Sequence, residues 1–142
     1  MLLLACLGTP AVQASTPETA PAKAGQPQQL DRSGKIRIGK ASYYGREFYG
    51  KKMANGERMK PRGDNAASKT LPLGTKAAVT NLENGKTDVV VIKDRGPYVA
   101  GRIIDVSPQT AIDLDFKEQG ITPVLVMPLE IPKRHMDSAR PD

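Results

Sequence analysis

The chain has 142 residues, the length of one domain with tails, and its 4% aromatic content without Trp limits it to a small core. Against 15 Asp+Glu stand 21 Lys+Arg, giving a net charge of +6 and a surface that attracts polyanions. No RNP-like aromatic run, Cys/His finger spacing or long basic helix accompanies that charge, which excludes the common nucleic-acid-binding classes, and a single Cys and a single His exclude an intramolecular disulfide and a Cys/His zinc site.

Residues 1–14 are uncharged and small or apolar, and read as a signal-peptide remnant cleaved after Ala14. The same residues allow a second reading. Leu3-Leu4-Ala5-Cys6 has the form of a lipobox, cut before a lipid-modified Cys6. No stretch reaches the ~20 apolar residues of a spanning helix. Residues 15–33, rich in Pro, Ala, Gln and Thr without apolar periodicity, predict a disordered linker. Residues 34–131 predict one folded, all-β unit. Its strands run over Lys35–Tyr44, Thr75–Leu82, Lys86–Lys93, Arg102–Val106 and Val124–Ile131. Asn84-Gly85 predicts a hairpin with a type I′ turn between the second and third of these, and Pro128 pushes the last towards an edge or a bulge. One short helix is predicted, with Ser107 as N-cap, Pro108 at its first position and Gly120 to stop it. Short strands, frequent glycines and one helix point to a small closed barrel, since closure removes exposed edges. Residues 132–142 read as a disordered tail, with the lone His135 a bystander.

Three segments carry polar residues that packing explains poorly: Met53-Ala54-Asn55-Gly56-Glu57, Asp94-Arg95-Gly96-Pro97, and Gly101-Arg102-Ile103-Ile104-Asp105-Val106-Ser107. Asp94 ends an apolar strand before a forced turn. It is equally readable as a turn cap or as the partner of Arg95 or Arg102. Asp105, between Ile104 and Val106, needs such a partner if buried, and Glu57 reads as an exposed acid. Carboxyl groups gathered on one barrel face are nonetheless what glycosidic cleavage requires, one protonated to donate and another ionised to stabilise positive charge on the sugar. Tyr43, Tyr44, Phe48 and Tyr49 offer rings for stacking on sugar or for the core. From Lys35 to Lys69 there are ten Lys+Arg against three Asp+Glu, a bias that suits acidic peptide stems or teichoic-type polymers.

The stretch Gly39-Lys40-Ala41-Ser42-Tyr43-Tyr44-Gly45, with Ala54-Asn55-Gly56-Glu57, Thr70-Leu71-Pro72-Leu73-Gly74-Thr75, Val79-Thr80-Asn81-Leu82, Asp94-Arg95-Gly96-Pro97 and Gly101–Ser107, closely resembles the rare lipoprotein A (RlpA) family over about Gly39 to Met127. The resemblance implies a six-stranded double-psi β-barrel related to those of expansins and some endoglucanases. It implies an exported lytic transglycosylase that cuts between N-acetylmuramic acid and N-acetylglucosamine and leaves a 1,6-anhydro end, with no metal or cofactor. Some members prefer glycan stripped of peptide stems. By the same resemblance Asp94 is the acid/base and Glu57 its partner, or the reverse. Asp105 lies in the sugar groove, Arg95 and Arg102 orient the acids and meet the substrate's carboxylate, and Tyr43 and Tyr44 line the site. The family's usual His is Ser68 here, so a non-catalytic, expansin-like binder is the alternative. A basic protein that merely coats the wall is a third. Many relatives add a C-terminal SPOR domain, which these 142 residues are too few to include. The expected partners are peptidoglycan glycan strands and, through a lipid on Cys6, a membrane; nucleic acid is not among them, and a monomer is the default.

Overall fold

The computed structural model describes residues 29–133. The predicted signal with Cys6, the linker up to residue 28, and the tail from residue 134 with His135 lie outside the described residues. Six strands, β1 (Arg37–Tyr43), β2 (Asn65–Ala67), β3 (Lys76–Asn81), β4 (Thr87–Asp94), β5 (Arg102–Val106) and β6 (Thr122–Glu130), close in the order β1–β5–β2–β4–β3–β6. Strands β1 and β5 pair in parallel, as do β2 and β4, and the other pairs are antiparallel. This is the six-stranded double-psi barrel that the resemblance implies.

Alternation along each strand fills the interior. Thr122, Val124 and Val126 of β6, Val90 and Ile92 of β4, and Ile104 and Val106 of β5 all point inward and are buried. Alanines at 41, 66 and 77, each fully buried, suit the narrow interior of a small barrel, where large and small side chains alternate. Leu114 and Phe116, both fully buried, complete this core from the β5–β6 connection. A second, smaller cluster of Tyr44, Met53, Met59 and Ala67 pins the long β1–β2 connection to the barrel.

Four local features differ from expectation. Strand β2 was not predicted: it has three residues, two of them Ala, and no β-branched pattern announces it. The β3–β4 hairpin forms, but not with a type I′ turn. Gly85 has φ +80° while Asn84 does not enter the left-handed region. Instead Asn81 accepts from Gly85 N at 2.7 Å and its own N–H donates to Lys86 O at 2.8 Å, closing a longer loop. The reason is the buried Asn81 side chain, which accepts from Glu83 N at 2.9 Å and donates to Leu114 O at 2.8 Å.

Helix α1 (Pro108–Asp113) begins as expected, with Ser107 Oγ accepting from Thr110 N at 3.1 Å, but it ends well before Gly120. Asp115 turns left-handed at φ +58°, and the Leu114 carbonyl accepts from the amides of Asn81 and Asn84. Pro128 sits at a register shift with β3, beyond the last residue of β6 that pairs with β1, the irregular position that its missing N–H favours. Lastly, residues placed in the linker and tail are bound to the barrel. Asp31 N donates to Thr70 O at 2.8 Å, the Asp31 carboxylate pairs with Arg37, and Arg32 donates to Pro132 O at 2.7 Å.

Candidate functional site

Strand register sets out the site. Asp94 at the end of β4 pairs with Ala67 of β2, Ala67 with Asp105 of β5, and Asp105 with Ser42 of β1. Paired residues face the same side of a sheet, so the barrel rim carries the row Asp94, Ala67, Asp105, Ser42. Two strand spacings place the two acidic residues roughly 10 Å apart at the backbone. The alanine between them leaves the gap open. That gap is a cavity of about 320 Å³ lined by Tyr44, Phe48, Ala67, Asp94, Arg95, Gly96, Pro97, Tyr98, Val99, Arg102 and Asp105.

The two oxygens of Asp94 are held differently. Oδ1 accepts from the backbone N–H of Ala54 and of Arg95, both at 2.9 Å. Oδ2 accepts from the Tyr44 hydroxyl at 3.1 Å. The Ala54 donor comes from a turn in which Met53 N donates to Glu57 O at 2.7 Å and Asn55 N to Lys93 O at 3.0 Å. Burial raises the Tyr44 phenol well above the ordinary tyrosine range, and the negative charges of Asp94 and Asp105 add to the rise. It therefore stays a neutral donor throughout the working pH range. Asp105 Oδ1 accepts from Ser42 Oγ and, at 3.3 Å, from Arg102 Nη2. Arg102 Nε is buried without a partner.

Other candidates lie elsewhere or face another way. Glu57 is largely exposed and its carboxylate pairs with Lys93 at 3.2 Å, so it does not line the cavity. Arg95 turns its guanidinium to the carbonyls of Ser68 and Leu71, at 2.8 and 2.6 Å, rather than to an acid, and burial lowers its pKa from the usual arginine value. Ser68 is buried, and its hydroxyl accepts from Thr70 N at 3.3 Å and Leu71 N at 3.0 Å. Tyr43 stacks edge-on with Phe116, 6.0 Å between centroids, and donates to Lys117 O. Alternation puts it on the opposite side from Tyr44. Tyr49 also does not line the cavity, whereas Phe48 does and meets Tyr44 edge-on at 5.9 Å.

Sequence reasoning missed Tyr98. It is 72% exposed and lines the cavity, its ring lying over Gly96, where an added Cβ would stand 3.6 Å from it. The available signal was an aromatic residue directly after the Asp-Arg-Gly-Pro turn, where no packing calls for one. Of the six aromatic residues in the chain, three line this one cavity. Among the described residues no group of three His, Cys, Asp or Glu is placed to hold a metal ion.

The molecule is thus a closed double-psi barrel with two carboxylates and three aromatic rings at one rim. A family profile described as "Lytic transglycolase" matches residues 36–126, and the chain belongs to that family. Curated relatives include the "Probable endolytic peptidoglycan transglycosylase RlpA" of Treponema pallidum, 41% identical over 117 residues, which are 81% of this chain and 36% of the relative. They also include the "Endolytic peptidoglycan transglycosylase RlpA" of Pseudomonas aeruginosa (strain UCBPP-PA14), 46% identical over 89 residues, which are 63% of this chain and 26% of the relative. The chain thus spans about a quarter to two fifths of the length of such relatives. The apo expansin of Clavibacter michiganensis superposes with a TM-score of 0.53 at 22% identity, covering 70% of this chain and 53% of the expansin, a likeness of fold alone.

Proposed function

We propose that the chain is an endolytic peptidoglycan transglycosylase of the cell envelope, cleaving the glycan between N-acetylmuramic acid and N-acetylglucosamine. The observation that carries this reading is the asymmetric holding of Asp94. One oxygen is fixed by two backbone donors while the other is available, beside a neutral phenol, to give and take a proton. In the first half-reaction the Asp94 Oδ2 proton passes to the glycosidic oxygen, and the bond from that oxygen to the muramic acid anomeric carbon breaks. The Asp105 carboxylate, held by Ser42 and Arg102, lies across the gap to stabilise the positive charge that develops on the sugar. In the second half-reaction the muramic acid 6-hydroxyl attacks that carbon and its proton returns to Asp94. No water is consumed and the 1,6-anhydro ring closes.

The remaining side chains support these steps. Tyr44 orients Asp94, Tyr98 and Phe48 offer ring faces for the sugars, and Arg102, which lines the cavity beside Asp105, brings the positive charge that meets a substrate carboxylate. Glu57 acts as partner through the turn that aims Ala54 N at Asp94. Its carboxylate reaches the cavity only by leaving Lys93. Glycan strands are the partner, the protein works as a monomer without a cofactor, and export, with cleavage after Ala14 or with a lipid on Cys6, puts it in the periplasm or cell envelope. Mass spectrometry of the membrane-extracted protein tests the lipid by the mass on Cys6.

One observation favours a second reading. The family's usual His position holds Ser68, whose hydroxyl is committed to two backbone N–H groups. A protein lacking that histidine's chemistry would bind glycan without cutting it. Incubating the purified chain with sacculi separates the two. Soluble products ending in 1,6-anhydromuramic acid, absent with Asp94→Asn, establish the transglycosylase. Sacculus binding without products leaves the binder.

A further inference from the structure

Asp94 Oδ1 takes its two hydrogen bonds from unequal sources. Arg95 N is the amide of the next residue and moves with Asp94. Ala54 N lies 40 residues away in the chain, in a turn whose residues 54–57 are all exposed. Only Met53, at the start of that turn, is buried. Packing therefore anchors one end of the turn, and hydrogen bonds and charge hold the rest.

Those holds converge on Lys93, the residue before Asp94. Its carbonyl accepts from Asn55 N at 3.0 Å, and its Nζ donates to Glu57 Oε1 at 3.2 Å. The turn is closed on itself, with Met53 N donating to Glu57 O at 2.7 Å and Gly56 N to Met53 O at 2.9 Å. A hold on Glu57 is thereby passed to Met53 and Ala54. Asp64 Oδ1 also approaches Lys93 Nζ, at 3.6 Å, but Asp64 belongs to the approach to β2, where its carbonyl accepts from Val91 N at 2.9 Å. The Lys93 side chain is 24% exposed, against 57% for Glu57 and 56% for Asp64. An ion pair so open to water is worth little in total stability. It matters here because so few other contacts hold the turn.

We propose that Lys93 is a positioning residue for the Asp94 acid. By gripping Glu57 it keeps the Ala54 N–H on Asp94 Oδ1 and so fixes the carboxyl plane for proton transfer. Lys93 does not line the cavity and acts only through the turn. The inference rests on the reading of Asp94 as the acid/base and adds a residue that aims it. Small misplacements of a reacting group slow a reaction without weakening binding, so the effect belongs in kcat.

Amide hydrogen exchange of Ala54, followed by NMR on the full chain, reads the hold without any substrate. Lys93→Met keeps the aliphatic stem and removes the charge, and it leaves Glu57 and Asp64 to water, so folding should survive, with Tm as the check. Loss of the pair should speed Ala54 exchange about threefold and leave Arg95 exchange unchanged. Glu57→Ala should do the same, and Lys93→Met combined with Glu57→Ala should do no more than either, since one pair is lost in all three. Lys93→Arg should restore the hold, and Asp64→Asn should not disturb it. In sacculus digestion Lys93→Met should lower kcat about threefold at unchanged KM, with recovery in Lys93→Arg. Unchanged Ala54 exchange in Lys93→Met overturns the proposal, as does equal acceleration at Arg95, which means general loosening. Faster exchange with unaltered kcat also overturns it, and so does an equal loss of kcat in Asp64→Asn, which means that local charge acts without the turn. Absence of products from the unsubstituted chain counts against the transglycosylase reading alone, and Ala54 exchange then decides the hold by itself.

Discussion

The Tyr44 hydroxyl donates to Asp94 Oδ2 at 3.1 Å, joining a residue just past the end of β1 to the last residue of β4, strands that are not neighbours in the barrel. The bond spans the cavity-facing rim and connects the aromatic cluster under the β1–β2 connection to the proposed acid. Its ring is buried, and the hydroxyl serves the Asp94 carboxylate.

Tyr44→Phe keeps the ring against Phe48 and removes only this bond. The expected loss of stability is ~0.5–1.5 kcal/mol, and kcat for sacculus digestion should fall while glycan binding is retained. A raised phenol pKa means that the folded state holds its proton above pH ~10, where the unfolded chain loses it. The stabilisation is complete below that pH and is lost as the pH climbs beyond it. Urea denaturation across pH 8–11 should show a steeper alkaline decline in the unsubstituted chain than in Tyr44→Phe.

Tyr98→Ala should leave folding nearly untouched, within about 0.5 kcal/mol, because the side chain is 72% exposed. If its ring stacks on sugar, a covered face of about 40 Å² contributes ~1 kcal/mol, so glycan binding should weaken about fivefold. Co-sedimentation of the Asp94→Asn protein with and without Tyr98→Ala measures this directly. Unchanged binding removes Tyr98 from the site.

At Ser68 a structural role predicts a structural penalty. Ser68→Ala leaves the buried Leu71 N–H and its neighbour Thr70 N–H without their acceptor, which should cost about 1–3 kcal/mol. Specific activity at temperatures well below unfolding should not change. A large drop in activity without a drop in Tm would instead mean that the hydroxyl takes part in the chemistry.

The Asp31–Arg37 pair ties the N-terminal approach to the barrel. The hydrogen bond from Arg37 holds the Asp31 carboxyl well below its ordinary range. The associated stability is present above the unfolded pKa of ~4 and is lost as the pH falls through that value towards the folded one. Asp31→Asn should flatten the acid side of the stability profile, by less than about 1 kcal/mol for a partly exposed pair. A fragment starting at Gly34 should likewise melt below one starting at residue 29, a comparison made by calorimetry.

Much of this protein is written in local sequence. The β-prone runs Lys86–Lys93 and Val124–Ile131, the Asn84-Gly85 break and the Ser107-Pro108 helix start each depend on neighbours within a few residues, and a strand, a hairpin (with a longer loop than the type I′ turn) and a helix start form where they stand. The acids Asp94 and Asp105 were visible as carboxylates at the end of, or within, apolar strands, and the family resemblance marked them as site residues. What the tertiary structure decided is non-local. The parallel pairing of three-residue β2 places Ala67 between the two acids, and no propensity of Asn65-Ala66-Ala67 announces it. Barrel closure sends Tyr44 to Asp94 and Tyr43 to Phe116, although adjacent tyrosines look alike in sequence. It turns Arg95 onto the Ser68 and Leu71 carbonyls and Glu57 onto Lys93, where the motif alone had grouped them with the acids. A side chain's neighbours across a barrel are set by strand register, and register is fixed only when every strand, including those far apart in the chain, has found its partner.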